Sequence, residues 1–409
     1  MKNINNGNGN GNQGHSRQAS RLWRIPYHLA DPEQREVVEL LWREDDDAWV
    51  KGSVGTGKTQ VLYWFAQGLI ERPPGGNVPS ICFVLFTRSL MGLIKYCCDG
   101  QFGRHLVMKT MSGFSSEPKE KKYDVIIVDE VQDLKSEEIQ LLKERCNGRL
   151  VVAGDPAQSI YPNRVSEGEI SQAVNGKIHR LTIPHRLSKA IAEAAKAFFP
   201  EAGVIPPRED PPDSAGIEHL KFDCPDDEVE RIWETASRLV SDPGELQGDD
   251  EEQQGSVAIL LPNQKAVVRF SQGLLLSACG KPWKPTLNQY EKTNYRQLNS
   301  VFLSNDLNVQ YFGGGYGSIR RAARADWVNV MTYYGAKGLD FRAVLLPCLS
   351  REIGFYTNGN SAKPVFFVAM TRARDNLVTS HCGDPHPLLK ELHEITGGYD
   401  DSPVGSMPF

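Results

Sequence analysis

Several things are missing from this sequence, and each absence closes off a class of protein. No uninterrupted apolar run reaches the roughly 18 residues that a membrane-spanning helix needs. The first twenty residues are polar, without the charged start and apolar stretch of a secretion signal. The chain therefore reads as cytoplasmic, with no membrane association. Its eight cysteines contain no Cys-x-x-Cys spacing, and the adjacent Cys97 and Cys98 match neither a zinc ligand pair nor a thiol redox motif, so reduced thiols are expected. Nor is there an excess of positive charge: 51 acidic residues outweigh 46 basic ones, for a net charge of -5. Any nucleic-acid surface must then be a local basic stripe.

What is present is a globular composition, 40% hydrophobic and 24% charged, over 409 residues, which is enough for two domains with cores of their own. Residues 2–20, rich in Asn, Gly, Gln and Ser, read as a disordered tail. The stretch from Ser241 to Gly255, with Asp249, Asp250, Glu251 and Glu252 in a row, reads as an acidic surface loop. Pro206 to Ser214, and Thr396 to the end, read as loop or tail. Between them lie short apolar runs suited to buried parallel strands: Ile81 to Phe86, Val125 to Val128, Leu150 to Ala153, Val257 to Leu261, Val328 to Thr332 and Ala343 to Leu346. Helical spacing alternates with them over Thr59 to Ile70, Glu137 to Cys146, Lys189 to Phe199, Glu228 to Val240 and Lys265 to Ala278. This alternation predicts an α/β fold with parallel sheets and ligands beyond the carboxyl ends of the strands.

One motif is specific. Gly52-Ser53-Val54-Gly55-Thr56-Gly57-Lys58-Thr59 fits G-x-x-x-x-G-K-[ST], with the apolar Trp49-Val50 before it and a helical pattern after it. Gly52, Gly55, Thr56 and Gly57 would curl successive N–H groups round a phosphate at a helix N-terminus; Lys58 would neutralise the β- and γ-phosphates, and Thr59 would ligate magnesium. Such a site also needs a strand-end carboxylate for the metal and a base for water. Val125-Ile126-Ile127-Val128-Asp129-Glu130 offers Asp129 for the first role and Glu130 for the second, with Asp129 beside the phosphate loop if the two strands are neighbours.

Beyond Glu130 the residues become family-like. Asp129-Glu130-Val131-Gln132-Asp133 resembles the DExQD box of superfamily 1 helicases of the UvrD, Rep and PcrA group, and further segments follow in that family's order. Asp31-Pro32-Glu33-Gln34 looks like its adenine-reading segment, with Gln34 on the base edge. Phe86-Thr87-Arg88-Ser89-Leu90 and Thr110-Met111-Ser112-Gly113-Phe114 resemble its single-strand-binding segments, implying contacts from Phe86, Thr87 and Thr110. Leu150 to Tyr161 resembles motif III, implying that Gln158 senses the terminal phosphate and Tyr161 lines the nucleic-acid groove; where many relatives carry a tryptophan, this chain has Asn163. Leu181-Thr182-Ile183-Pro184-His185-Arg186 resembles the Asn-Tyr-Arg segment, with His185 in the adenine-stacking place and Arg186 as an arginine finger. Thr332 to Phe341 resembles motif V, with Tyr334 for a histidine and Asp340 for a glutamate; Thr332 would touch nucleic acid while Gly338 and Asp340 fall in the nucleotide site. Phe366 to Arg374 matches the last motif and makes Arg372 the second finger.

The resemblance implies two RecA-like domains, 21–186 and 187–395, with ATP and Mg²⁺ in the cleft between them, flanked by tails at 1–20 and 396–409. Only 70 positions separate Thr59 from Asp129 and 146 separate Arg186 from Thr332, which leaves no room for the large insertions of UvrD-like enzymes. Two functional classes follow. The first is a DNA helicase or translocase that hydrolyses ATP on single-stranded DNA, of 3′ to 5′ polarity by resemblance. The second is an ATP-dependent switch that assembles with a partner such as a nuclease in DNA repair or phage defence, without processive unwinding. A third, an ATPase with no nucleic-acid role, fits the acidic charge.

Overall fold

The computed structural model describes residues 25–98, 105–161, 164–175, 177–207, 216–241, 257–288, 292–322, 324, 326–355 and 362–398. The tail expected over 1–20, the acidic loop from 242 onward, Asn163, most of the 206–214 loop and the chain beyond 398 lie outside these residues. Strands β1 (Ala48–Gly52), β2 (Ile81–Leu85), β3 (Leu106–Thr110), β4 (Tyr123–Val128), β5 (Cys146–Gly154) and β6 (Ile178–Leu181) form one sheet in the order β3-β2-β4-β5-β1-β6. Strands β7 (Gly216–Phe222), β8 (Val257–Leu261), β9 (Val309–Tyr311), β10 (Val328–Thr332), β11 (Phe341–Leu346) and β12 (Ala373–Cys382) form a second, in the order β7-β12-β11-β8-β10-β9. Every strand pairing in both is parallel. These are two α/β layers, each built on a six-stranded parallel sheet, as the alternation of strands and helices predicts. Parallel strands need crossover helices, which cover both faces; β2, β8 and β10 are accordingly buried along their whole length and read as unbroken apolar runs.

The helices used below are α1 (Pro32–Arg43), α2 (Lys58–Glu71), α3 (Arg88–Cys98), α4 (Ser136–Glu144), α5 (Lys189–Phe198), α6 (Pro225–Ser241), α7 (Gln264–Cys279), α8 (Ala362–Met370) and α9 (Pro387–Thr396). Their starts follow from local chemistry. Asp31 Oδ1 accepts from the N–H groups of Glu33 at 2.8 Å and Gln34 at 3.1 Å, with Pro32 at the first helical position. Asn263 caps α7 by accepting from Ala266 N at 2.9 Å, and Gly280 ends that helix at φ 62°. Where α1 and α2 pack, Gly68 meets the Trp42 indole so closely that an added Cβ would overlap the ring. Alanine there gains about 1 kcal/mol of helix propensity but forces overpacking that costs about 1–3 kcal/mol. Gly68→Ala is therefore expected to lower the thermal midpoint in a calorimetric scan.

Some boundaries differ from the sequence reading. Cys146, expected to close a helix, opens β5; α4 stops at Glu144 because Arg145 leaves helical geometry and its NH1 donates to Phe114 O at 2.8 Å. Phe86 and Phe199 fall just past the ends of β2 and α5. Thr396, expected to begin the tail, is the last residue of α9, its hydroxyl bonded to Leu392 O at 2.9 Å and sharing a 2.8 Å hydrogen bond with the His219 ring.

Candidate functional site

The loop between β1 and α2 turns on two glycines: Gly55 and Gly57 both stand at φ 82°, the left-handed region. Side chains would also be excluded by contact. A Cβ on Gly57 would run into the Gln34 amide, and one on Gly52 would lie 2.6 Å from Thr56 Oγ1. Gln34 Nε2 donates to Thr56 O at 3.1 Å, and Thr56 Oγ1 to Ser53 O at 3.0 Å, so the loop is braced before any ligand enters. Lys58 Nζ bonds the carbonyls of Gly52 at 2.7 Å and Ser53 at 3.0 Å. Burial lowers its pKa.

The strands carrying the two halves of the site are not neighbours, contrary to the simplest expectation, since β5 lies between β1 and β4. The gap is closed by α2, which packs over β5 and presents Thr59 from its first turn; Thr59 Oγ1 donates to Asp129 Oδ2 at 2.7 Å. Asp129 is buried, and that burial, with Glu130 beside it, raises its pKa. Glu130 experiences the same burial, but Lys337, Lys58 and Arg372 together hold its pKa below the ordinary value. Gln132 donates to Glu130 Oε2 and accepts from Asp155 N at 3.1 Å. Gln158 Nε2 donates to Asp155 Oδ2 at 3.0 Å, which sets it facing the loop.

The opposite wall comes from the second sheet. Arg372, 5% exposed, is fixed by Nε donating to Val368 O at 2.9 Å and NH1 to Leu339 O at 3.1 Å. Burial and the neighbouring Arg186 lower its pKa to about 9. Arg186 NH1 lies 3.7 Å from Asp340 Oδ1, and His185 Nε2 lies 2.7 Å from Asp31 Oδ2. One cleft gathers Gln34, Gly55, Gly57, Lys58, Thr59, Glu130, Gln158, His185, Arg186, Gly338, Asp340 and Arg372. Gly52 and Thr56 shape the loop from behind, and Asp129 reaches the site through Thr59. Arg374 also lines the cleft. It stands in the segment that supplied Arg372, but nothing in its local pattern singles it out.

A second, largely apolar cavity lies between the sheets, lined by Tyr161, Thr332, Tyr334 and Phe355, with Pro262, Asn263, Gln264 and Lys265 at the start of α7. Phe86 stacks obliquely on Tyr161 with centroids 5.3 Å apart, and Tyr161 on Tyr334 at 5.4 Å; Arg164 covers the Tyr161 ring at 4.9 Å. Thr87 Oγ1 reaches Lys337 O at 3.4 Å. Thr110 stands apart at the end of β3, where its hydroxyl accepts from Gly113 N at 3.3 Å and caps the short helix Met111–Ser115. Phe355 and the α7 start carry no motif, and only folding brings them to the groove.

Residues 104–179 match the family described as UvrD/REP helicase N-terminal domain. No curated protein matches the chain. Among solved structures, nonstructural protein 10 (helicase) of Arterivirus shares 12% identity over 89% of this chain and 63% of its own, with a TM-score of 0.38. Its complex with DNA gives 13%, 89%, 65% and 0.38. The C-terminal domain of a possible DNA helicase from Lactobacillus plantarum gives 13% identity over 52% of this chain and 97% of that one, with a TM-score of 0.31. The chain thus spans less than two thirds of the arterivirus helicase, and at these scores the likenesses add nothing to the fold read from the strand order. Among the described residues, no helix is long and apolar enough to cross a membrane.

Proposed function

We propose that this chain, whose residues 104–179 match the UvrD/REP helicase N-terminal domain, is a superfamily 1, UvrD-like helicase: an ATP-driven translocase on single-stranded DNA, of 3′ to 5′ polarity, with a domain boundary at Arg186 and Leu187. One observation carries this reading: Arg372 from the side of the second sheet and Arg186, which packs on Gly55 of the phosphate loop, line a single cleft with Lys58 and Glu130. Hydrolysis of a phosphoanhydride needs charge stabilisation around the transferred group, and two arginines together with a phosphate loop supply it.

The residues fit their ligands. The loop glycines leave the room a phosphate needs, and the Thr59 hydroxyl and Asp129 carboxylate form the hard oxygen pair that magnesium prefers. That pair would hold magnesium, which would supply positive charge against the phosphate oxygens. Lys58 exchanges its two loop carbonyls for the β- and γ-phosphates. Glu130 orients water and takes its proton, and Gln158 registers the terminal phosphate. Gln34 and His185 hold the base, while Asp340 faces the ribose. Phe86, Thr87, Tyr161, Thr332 and Tyr334 hold the strand, and base stacking on the groove aromatics keeps it sequence-tolerant.

The test is steady-state ATP hydrolysis by the purified chain with and without oligo-dT, with Glu130→Gln as the control for contaminating ATPases. Several-fold stimulation that weakens steeply with salt is expected. Turnover indifferent to DNA would overturn the translocase and favour a switch gated by a protein partner such as a nuclease.

A further inference from the structure

The nucleotide cleft and the aromatic groove share one short turn. Between β10 and β11, Tyr334 lines the groove, Gly338 and Asp340 line the cleft, and Lys337 points inward between them, 2% exposed. Its ammonium group pairs with Asp133 and stands 3.8 Å from Glu130 Oε2, the oxygen that also accepts from Gln132. Its Nζ lies 5.4 Å from the centre of the Phe86 ring, and its carbonyl accepts from Thr87. The turn has little room to deform. Gly338 stands at φ 81°, and a Cβ there would come within 2.8 Å of Leu90 Cδ2 on α3. Tyr334 and Lys337 must then shift together, because packed segments move as units.

We infer that Lys337 is a positioning residue that holds Glu130 in check until nucleic acid occupies the groove, and so couples the groove to hydrolysis. The inference rests on the function proposed above. One ammonium group serves two carboxylates, and the Glu130 oxygen it faces is one that must be turned toward water for hydrolysis. Lys337 already bonds Asp133, so its hold on Glu130 is the longer, 3.8 Å contact; a strand pressed against Tyr161 and Tyr334 displaces the turn and breaks that contact, which frees Glu130. Asp133 does no chemistry; its role is to keep the cation from settling on Glu130 alone. A lysine that merely cemented the domain interface would behave differently, since its loss would depress every rate.

The experiment measures kcat and KM for ATP, with and without oligo-dT, in wild type, Lys337→Met, Lys337→Arg and Asp133→Asn. Lys337→Met is expected to raise DNA-free kcat several-fold with KM unchanged and to shrink the stimulation ratio toward one, and Lys337→Arg to restore the ratio. Asp133→Asn should do the opposite, lowering DNA-free kcat because Lys337 is left to Glu130 alone. If Lys337→Met lowers both rates with the ratio intact, the inference is overturned. An unchanged or raised DNA-free rate in Asp133→Asn overturns it independently, even if Lys337→Met fails to fold. Wild-type turnover that ignores DNA would instead remove the functional reading beneath it.

Discussion

Arg372→Ala is expected to slow ATP turnover by roughly 10³-fold or more, as loss of an arginine finger does in other phosphoryl-transfer sites. The guanidinium is held at 2.9 Å and 3.1 Å by two backbone carbonyls, Val368 O on α8 and Leu339 O in the turn before β11, so its position is fixed before a nucleotide arrives. Such preorganisation avoids reorganisation at the moment of reaction. Burial and the neighbouring Arg186 disfavour the charge and lower its pKa, and an anion between the two arginines relieves that repulsion. Lysine should not rescue the loss, because a point charge cannot reproduce the fork that spans Val368 O, Leu339 O and the ligand. A fluorescent nucleotide titration alongside kcat separates binding from chemistry. Normal turnover by Arg372→Ala would sink the two-walled site.

Glu130→Gln should be nearly as severe, losing about 10²–10⁴-fold in turnover while nucleotide still binds. Glutamine keeps the shape that Gln132 contacts but cannot take a proton from water. Lys337, Lys58 and Arg372 hold the carboxyl below its usual pKa despite burial, so wild-type Glu130 is ionised at neutral pH and ready as a base. Asp129 is different: burial and its acidic neighbour raise its pKa, and it needs a cation to stay ionised, which suits a metal ligand. Stoichiometric nucleotide binding with turnover near background is the expected result; loss of binding would mean that Glu130 shapes the pocket instead of acting on water.

The sequence carried the parts of the molecule that local chemistry dictates. The phosphate loop, Asp129 with Glu130, and the central strands β2, β8 and β10 were legible because a glycine pattern or an unbroken apolar run leaves few alternatives. Strands β3, β7 and β12 were not, since Leu106–Thr110, Gly216–Phe222 and Ala373–Cys382 mix apolar with polar residues and lie toward sheet edges, where half of each strand meets water or helix ends. Strand β5 was legible in Leu150 to Ala153, but its place between β1 and β4 was not, because sequence order says nothing about strand order. Lys337 could not be singled out either, because its partner Asp133 lies 204 positions away and no local pattern joins them.

Glu130 itself sits at φ 56° and ψ 44°, a conformation that glycine adopts freely and glutamate resists. Holding a side chain there costs about 1–2 kcal/mol, so the chain carries backbone strain at the residue on which turnover depends. Glycine at that position would shed the penalty, less the ~0.4–1 kcal/mol it returns through greater freedom when unfolded. A library of variants screened for heat tolerance alone would therefore select against this residue, and any campaign to harden the protein must score activity in the same round.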